Sequence, residues 1–403
     1  MATLNHIPSI GQSNVVGTIG TPALSTAQTF GNKMFTRLAK DTGSSGVRMP
    51  QERLITLAEL TTNEPLIETD TKELVGVLDG ANHYTGANYG AASDYGETHC
   101  HGMGDMISTL IPGWTGLFSV AGRGGVDYSQ IKDGDVFDNC WKPVHAAQNQ
   151  LGNAGWIYTD QKVRAFVIRH GESDYHNPLY AGQLNTLHTN LNAKFKGLTG
   201  QSEDSVMIQA QASFETERIS AFQQYYACRQ NPNIVIASPT YPFPHSANHL
   251  TNVGHRAFGW YAGKAAAAIY LGTDWSGLQP VGVSRVGAVI RVRTIGRVGA
   301  LVKDVSQSWG AITNSGMEYS DDTSSASIST VNFDGNDIVI TLTAVPTGGD
   351  RRIKYATTQY YGNIRDSDPT LAPDGTTVLP NWLQHFDLPV TYDLPVLCGV
   401  WEC

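Results

Sequence analysis

The sequence has no run of lysine and arginine, no long apolar stretch and little charge, and each lack removes a class of protein. Charged residues make up 16 % of the 403 positions and the formal net charge is −9. A surface of that sign repels phosphate backbones, so a nucleic-acid partner would require a local basic patch, and none is expected. The nearest approach, Arg291, Arg293 and Arg297, alternates with Val and Ile and reads as the wet face of a strand. No stretch approaches the roughly 18 apolar residues of a membrane span. Residues 1–10 lack the basic start and apolar run of a signal peptide, so synthesis in the cytoplasm is expected, with any export as part of something larger. The five cysteines (Cys100, Cys140, Cys228, Cys398 and Cys403), odd in number and irregular in spacing, make a poor disulfide framework. His99-Cys100-His101 has the residue types of a metal site, but no CxxC or second cluster accompanies it, and neither metal nor cofactor is expected.

What is present is apolar and glycine-rich: 41 % hydrophobic residues and 42 glycines. That balance excludes charge-driven disorder and long coiled coils, and it favours turns, tight loops and β structure. The length allows two or three domains.

Short apolar runs at Trp114–Ala121, Val163–Arg169 and Asn233–Pro239 read as buried strands, the second delivering His170-Gly171-Glu172 to its C-terminal edge. Helical spacing marks Thr216–Arg229 (Ile219, Phe222, Tyr225, Tyr226) and Gly254–Leu271. Strands alternating with helices predict an α/β layer fold with a parallel sheet, whose ligands sit at the C-terminal strand ends. After Trp275 the periodicity changes. Ala288–Ile295 alternates, and Val331–Leu342 reads as two strands around an Asp334-Gly335 turn. The expected organisation is an α/β domain over 1–275 and an antiparallel, β-sandwich-like domain over 276–403. Residues 82–95, rich in Gly, Ala, Asn and Tyr, read as a long surface loop.

Three blocks could carry chemistry. In Gly11-Gln12-Ser13-Asn14, a serine on a tight strand-to-helix turn would expose its hydroxyl and its backbone N–H; an ordinary turn is the alternative. In Gly122-Arg123-Gly124-Gly125, glycines let the backbone approach a ligand, or simply turn after a strand. The third block joins His170-Gly171-Glu172-Ser173-Asp174 to His249-Leu250-Thr251-Asn252. His170 could donate to a developing oxyanion and His249 could be a general base, or either could be structural. Glu172 and Asp174 could be a carboxylate pair for glycoside cleavage; the reading adopted is that they cap turns and brace the loop.

Taken in order, GQSN, GRGGVDYS, HGESD and HLTNVGHR resemble the SGNH (GDSL-like) hydrolases over residues 9–270. They are most similar to the sialate O-acetylesterase and carbohydrate-esterase branch, whose blocks read GQSN, GGxS, QGESD and DxxHL. Residues 95–98 (YGET), 362–367 (GNIRDS) and Asn381-Trp382 further resemble members encoded by bacteriophages and prophages. The resemblance implies an SGNH-type three-layer α/β fold and a cofactor-free serine esterase. Ser13 would be the nucleophile and His249 the base. The N–H groups of Ser13 and Gly125 would form the oxyanion hole with His170, which stands where the family usually has a glutamine. Gln12, Gly124, Glu172, Asp174 and Ser246 would support the site. The implied partner is an acetylated polysaccharide or glycan, with other virion proteins in a phage particle.

Two departures stand out. The family acid lies three residues before the histidine, and Ser246 occupies that place here. Pro8 lies in the first strand and cannot donate to a ladder, which predicts an edge or half-strand. The missing acid also supports a rival expectation, a virion structural, decoration or glycan-binding protein that keeps the fold with little activity.

Overall fold

The computed structural model describes residues 2–25, 29–35, 54–56, 97–152, 157–214, 218–306, 311–359 and 361–390, with 34–35 and 54–56 as backbone. The expected loop over 82–95 lies outside the described residues, as do Cys398 and Cys403. Cys100, Cys140 and Cys228 are free thiols.

The α/β part runs β1 (Ala2–Gly11), β2 (Lys33–Phe35), β3 (Leu54–Thr56), α1 (His99–Leu110), β4 (Gly116–Gly122), α2 (Tyr128–Ile131), α3 (Gly134–Gln150), β5 (Tyr158–Lys162), β6 (Ala165–Arg169), α4 (Tyr180–Thr199), β7 (Val206–Gln211), α5 (Ile219–Gln230), β8 (Ile234–Pro239), β9 (His245–Ser246), β10 (His249–Leu250) and α6 (Asn252–Leu271). One sheet has the order β3-β2-β4-β1-β6-β7-β8, with β5 also beside β1. Within it only the β2–β3 pairing is antiparallel. β4 and β6 are buried at every residue, as expected of parallel strands covered on both faces. One apolar cluster takes Met103 and Ile107 of α1 with Phe258 and Ala265 of α6; the other takes Val136 and Val144 of α3 with Leu184, Leu187 and Leu191 of α4. The sheet therefore separates two helical layers.

β1 corrects the expectation for Pro8. It is a ten-residue strand at the centre of the sheet, not an edge or half-strand. On one side it pairs with β4 from Asn5 to Gly11, including Pro8 opposite Ser119. On the other side its partner changes, from β5 up to Asn5 to β6 from Ser9 onward. Pro8 falls in that gap, where a missing donor costs least.

α1 and α6 pack backbone to backbone. A Cβ on Gly259 would stand 2.4 Å from the carbonyl oxygen of His99, so the approach requires glycine there.

The C-terminal part is antiparallel, with one 3₁₀ turn at Thr313–Gly316 among its described residues. It comprises β11 (Gln279–Val286), β12 (Val289–Ile295), β13 (Leu301–Lys303), β14 (Met317–Ser320), β15 (Ile328–Asp334), β16 (Asp337–Leu342), β17 (Arg352–Tyr355), β18 (Ile364–Asp366) and β19 (Phe386–Pro389). These form sheets β11-β12-β16-β15, β13-β18 and β14-β17-β19. Along β12, Arg291 and Arg293 are exposed while Ile290 and Val292 are buried, the alternation read from the sequence. The β15–β16 turn falls at Gly335-Asn336, one residue beyond the expected pair.

The change of architecture lies between Leu271 and Gln279, but the packing is continuous across it. Leu278, Trp382, Leu383 and Phe386 belong to the same cluster as Tyr241 and Tyr261. Buried polar bonds cross the seam as well. The Gln211 amide donates to the carbonyl of His385 (3.0 Å) and accepts from its N–H (2.8 Å). Lys264 Nζ bonds Asp368 at 2.8 Å.

Candidate active site

The site begins where β1 ends. A Cβ on Gly11 would stand 2.1 Å from the carbonyl oxygen of Arg169 on β6, so the strands can close there only around glycine. The chain then turns: Gln12 N–H donates to Arg169 O (3.1 Å), Val15 N–H to Gln12 O (2.9 Å) and Thr18 N–H to Ser13 O (3.1 Å). This leaves Ser13 at the C-terminal edge of the central strand, 7 % exposed.

His249 reaches the same point from the far end of the α/β part. β9 and β10 form a two-residue hairpin with Ser246 opposite His249. Ala247 in its turn has φ +48°, the left-handed region. Thr251 then caps α6 by accepting from the N–H of Gly254. His249 Nε2 lies 2.8 Å from Ser13 Oγ, although the residues are 236 positions apart.

Asn14 fixes this distance. Its Nδ2 donates to the carbonyl of Asn248 (2.8 Å) and to Glu172 Oε1 (2.9 Å), and its Oδ1 accepts from the N–H of Leu250 (3.2 Å). The residues on either side of His249 are thus tied to the residue after Ser13. Sequence reading placed Asn14 in a motif without giving it this function; the adjacent Asn is the signal that could have done so. Exposed Ser246, three residues before His249, lies across the hairpin ladder from it.

The glycine loop approaches from β4. A Cβ on Gly124 would come 4.0 Å from Ser13 Cβ, and Gly125 has φ +70° with open space where a side chain would project. Arg123 N–H donates to Gly11 O (3.3 Å), which joins this loop to the end of β1. Gln12 Oε1 accepts from the N–H of Ser173 (3.3 Å). Asp174 accepts from Tyr128 N–H (2.7 Å) and Asn177 Nδ2 (2.8 Å), so it braces the chain just beyond the glycine loop.

His170 is placed otherwise than expected. Burial lowers its pKa, against the opposing charges of Asp174 and Glu172, and keeps the ring neutral. A neutral imidazole has one N–H. The Nε2 atom lies 3.0 Å from the Val126 carbonyl, which can only accept, and Nδ1 lies 2.7 Å from the Tyr180 hydroxyl. The proton therefore sits on Nε2 and is given to Val126, leaving no ring donor for an oxyanion. His170 supports the glycine loop from below.

Beneath Ser13 lies Arg169, buried at the end of β6. Its Nη1 is 2.5 Å from the Asn14 carbonyl and 2.7 Å from His255 Nδ1, and its guanidinium lies over the Phe258 ring at 4.8 Å. Burial lowers its pKa to about 9, with Glu172 opposing. His255 is held well below the usual histidine range, by burial and then by Arg169, so it accepts that hydrogen bond as a neutral ring.

His99 bonds Ser9 Oγ (2.9 Å) and His101 faces Asp105 (3.1 Å). Among the described residues no group of three or more His, Cys, Asp or Glu side chains could hold a metal. Among them, too, no helix is long and apolar enough to cross a membrane.

The sequence matches no family model and no curated protein. The fold does have solved relatives. NanS (14 % identity, TM-score 0.43, 66 % of this chain and 97 % of that one) and the Arabidopsis thaliana protein AT4G34215 (15 %, 0.40, 65 % and 96 %) align with part of the chain. XAC1771, a carbohydrate acetylesterase from Xanthomonas citri, aligns with 95 % of this chain and 80 % of its own at 12 % identity and a TM-score of 0.58. The chain, antiparallel C-terminal sheets included, shares the fold of that carbohydrate acetylesterase.

Proposed function

We propose that the protein is an SGNH-type serine esterase that removes O-acetyl groups from a complex carbohydrate. The observation that carries this reading is the 2.8 Å approach of His249 Nε2 to Ser13 Oγ at the C-terminal edge of a parallel sheet. The acetylesterase fold supports it. Ser13 Oγ attacks the acetyl carbonyl while His249 Nε2 takes its proton. The tetrahedral oxyanion is met by the N–H groups of Ser13 and Gly125. The intermediate expels the sugar oxygen, which receives the proton from His249 and leaves as the alcohol. Water, deprotonated by His249, then attacks the acetyl-Ser13 ester; the second intermediate breaks the bond to Ser13 Oγ, which takes the proton back from His249, and acetate departs. Arg169, fixed on the Asn14 carbonyl, keeps the nucleophile turn in place. In this reading the carbohydrate belongs to a bacterial surface and the protein acts as part of a phage particle, where other virion proteins are its neighbours.

Ser246 in the acid's place favours a second reading, a particle or glycan-binding protein with little catalysis. Hydrolysis of p-nitrophenyl acetate and release of acetate from acetylated glycans separate the two. The esterase reading expects turnover that is lost in Ser13→Ala. Wild-type rates equal to those of Ser13→Ala would leave the second.

A further inference from the structure

A cleft of about 560 Å³ opens between the first half of α6 and the 374–382 segment of the C-terminal part. It is separate from the Ser13–His249 pair but borders it in the chain: Pro244 and Val253, on either side of the hairpin that carries His249, both line it. We propose that this cleft is a subsite for an uncharged stretch of glycan, which rests on the carbohydrate reading above.

Its size falls within the range of small-ligand sites, and it lies where two architectures meet, a common place for them. Its aromatic lining is Phe243, Trp260, Tyr261 and Trp382, of which Trp260 is the most exposed and the other three are buried. Trp260 is half-buried, so the ring is supported from behind yet partly open. Such rings offer flat apolar faces to the C–H faces of a sugar. Arginine and aspartate side chains stand beside them, as ring hydroxyls require.

The charges of the wall are already matched to one another. Arg365 Nε lies 2.5 Å from Asp304 Oδ2. Arg256 Nε lies 3.2 Å from Oε1 of the fully buried Glu97. The remaining carboxylate, Asp374, accepts the N–H groups of Thr376 and Thr377 at 2.8 Å each. A sugar carboxylate entering here would meet paired cations and a further negative charge. Neutral sugars are favoured over sialic or uronic acids.

The test uses the full chain carrying Ser13→Ala, so that binding is read without turnover. It is screened against an array of neutral, sialylated and uronate-containing glycans, and the best binder is titrated calorimetrically. Trp260→Ala and Val253→Trp are then added separately. The second fills the cleft without removing packing, and it decides the matter if the first fails to fold. The expected result is selective binding of neutral glycans, weakened about tenfold or more by either folded variant. No glycan bound, a preference for acidic glycans, or unchanged affinity in the folded variants would overturn the proposal. Failure of wild type to hydrolyse p-nitrophenyl acetate would count against the esterase reading alone, since this binding needs no chemistry.

Discussion

Asn14 and Glu172 are joined by a 2.9 Å hydrogen bond that links the turn after β1 to the loop after β6. Through the same amide nitrogen Asn14 holds the carbonyl of Asn248. Three chain segments that share no sequence neighbourhood therefore meet on one side chain, directly beside the Ser13 hydroxyl.

Asn14→Ala should lower kcat for p-nitrophenyl acetate about 10- to 100-fold while leaving KM within about threefold. The hairpin would lose its two bonds to Asn14, and a small misplacement of a base is costly to rate. A variant with wild-type kcat and a normal melting temperature would show that the hairpin holds His249 unaided.

Ser246→Asp should raise kcat/KM. Directly opposed residues on antiparallel strands have Cβ atoms about 4.5–5.5 Å apart, so a new carboxylate would lie near the His249 ring. It would stabilise the imidazolium formed during attack. A rate no faster than wild type, with Ser13→Ala dead, would mean that another group already orients His249.

His170→Ala should act on stability more than on rate. The ring bonds the Val126 carbonyl and Tyr180 and leaves both buried. Losing it strands those groups at a cost of about 1–3 kcal/mol. The melting temperature should fall and kcat should change by less than about tenfold. A loss of 10²-fold or more with unchanged stability would restore His170 to the oxyanion hole.

Acid should destabilise the fold through histidines buried as neutral rings. Burial lowers the pKa of His6 to about 3 and that of His385 to about 4, and it holds His99 and His255 well below the usual value. Below a pH of about 6.5 the unfolded chain takes up protons that the folded chain refuses. Stability is then fully present above that pH and is lost as pH falls. Each such histidine adds a slope of about 1.4 kcal/mol per pH unit, down to its folded value. Urea midpoints measured from pH 7 to pH 4.5 check this; a flat profile would contradict the neutral assignment.

The legible parts of the molecule were those governed by local pattern. The runs ending at Arg169 and Pro239, the alternation around Arg291 and the helix ending at Leu271 follow from side-chain periodicity, and the structure places elements there. The motif order also brought Ser13 and His249 to notice as a pair. Pro8 misled because its tolerance depends on a change of partner strand, which no local pattern encodes. His170 misled for a similar reason. Its residue type suits an oxyanion donor, but Val126 and Tyr180 take both of its nitrogens, and only the packed fold reveals that competition. α3 carries Pro143 within it, a residue that speaks against a helix interior in sequence, yet the helix packs against α4 and β1.

The bonds between Gln211 and His385 have a consequence for synthesis on the ribosome. Gln211, at the end of β7, emerges early, yet the His385 backbone that pairs with its amide lies 174 residues later in the chain. The first 275 residues can collapse and form their sheet during translation, but the face around Tyr241 and Tyr261 stays unsealed until Trp382 and Leu383 have left the exit tunnel. Over that interval, about 5–20 seconds at ordinary elongation rates of about 5–20 residues per second, a nascent chain would expose apolar surface of the kind chaperones bind.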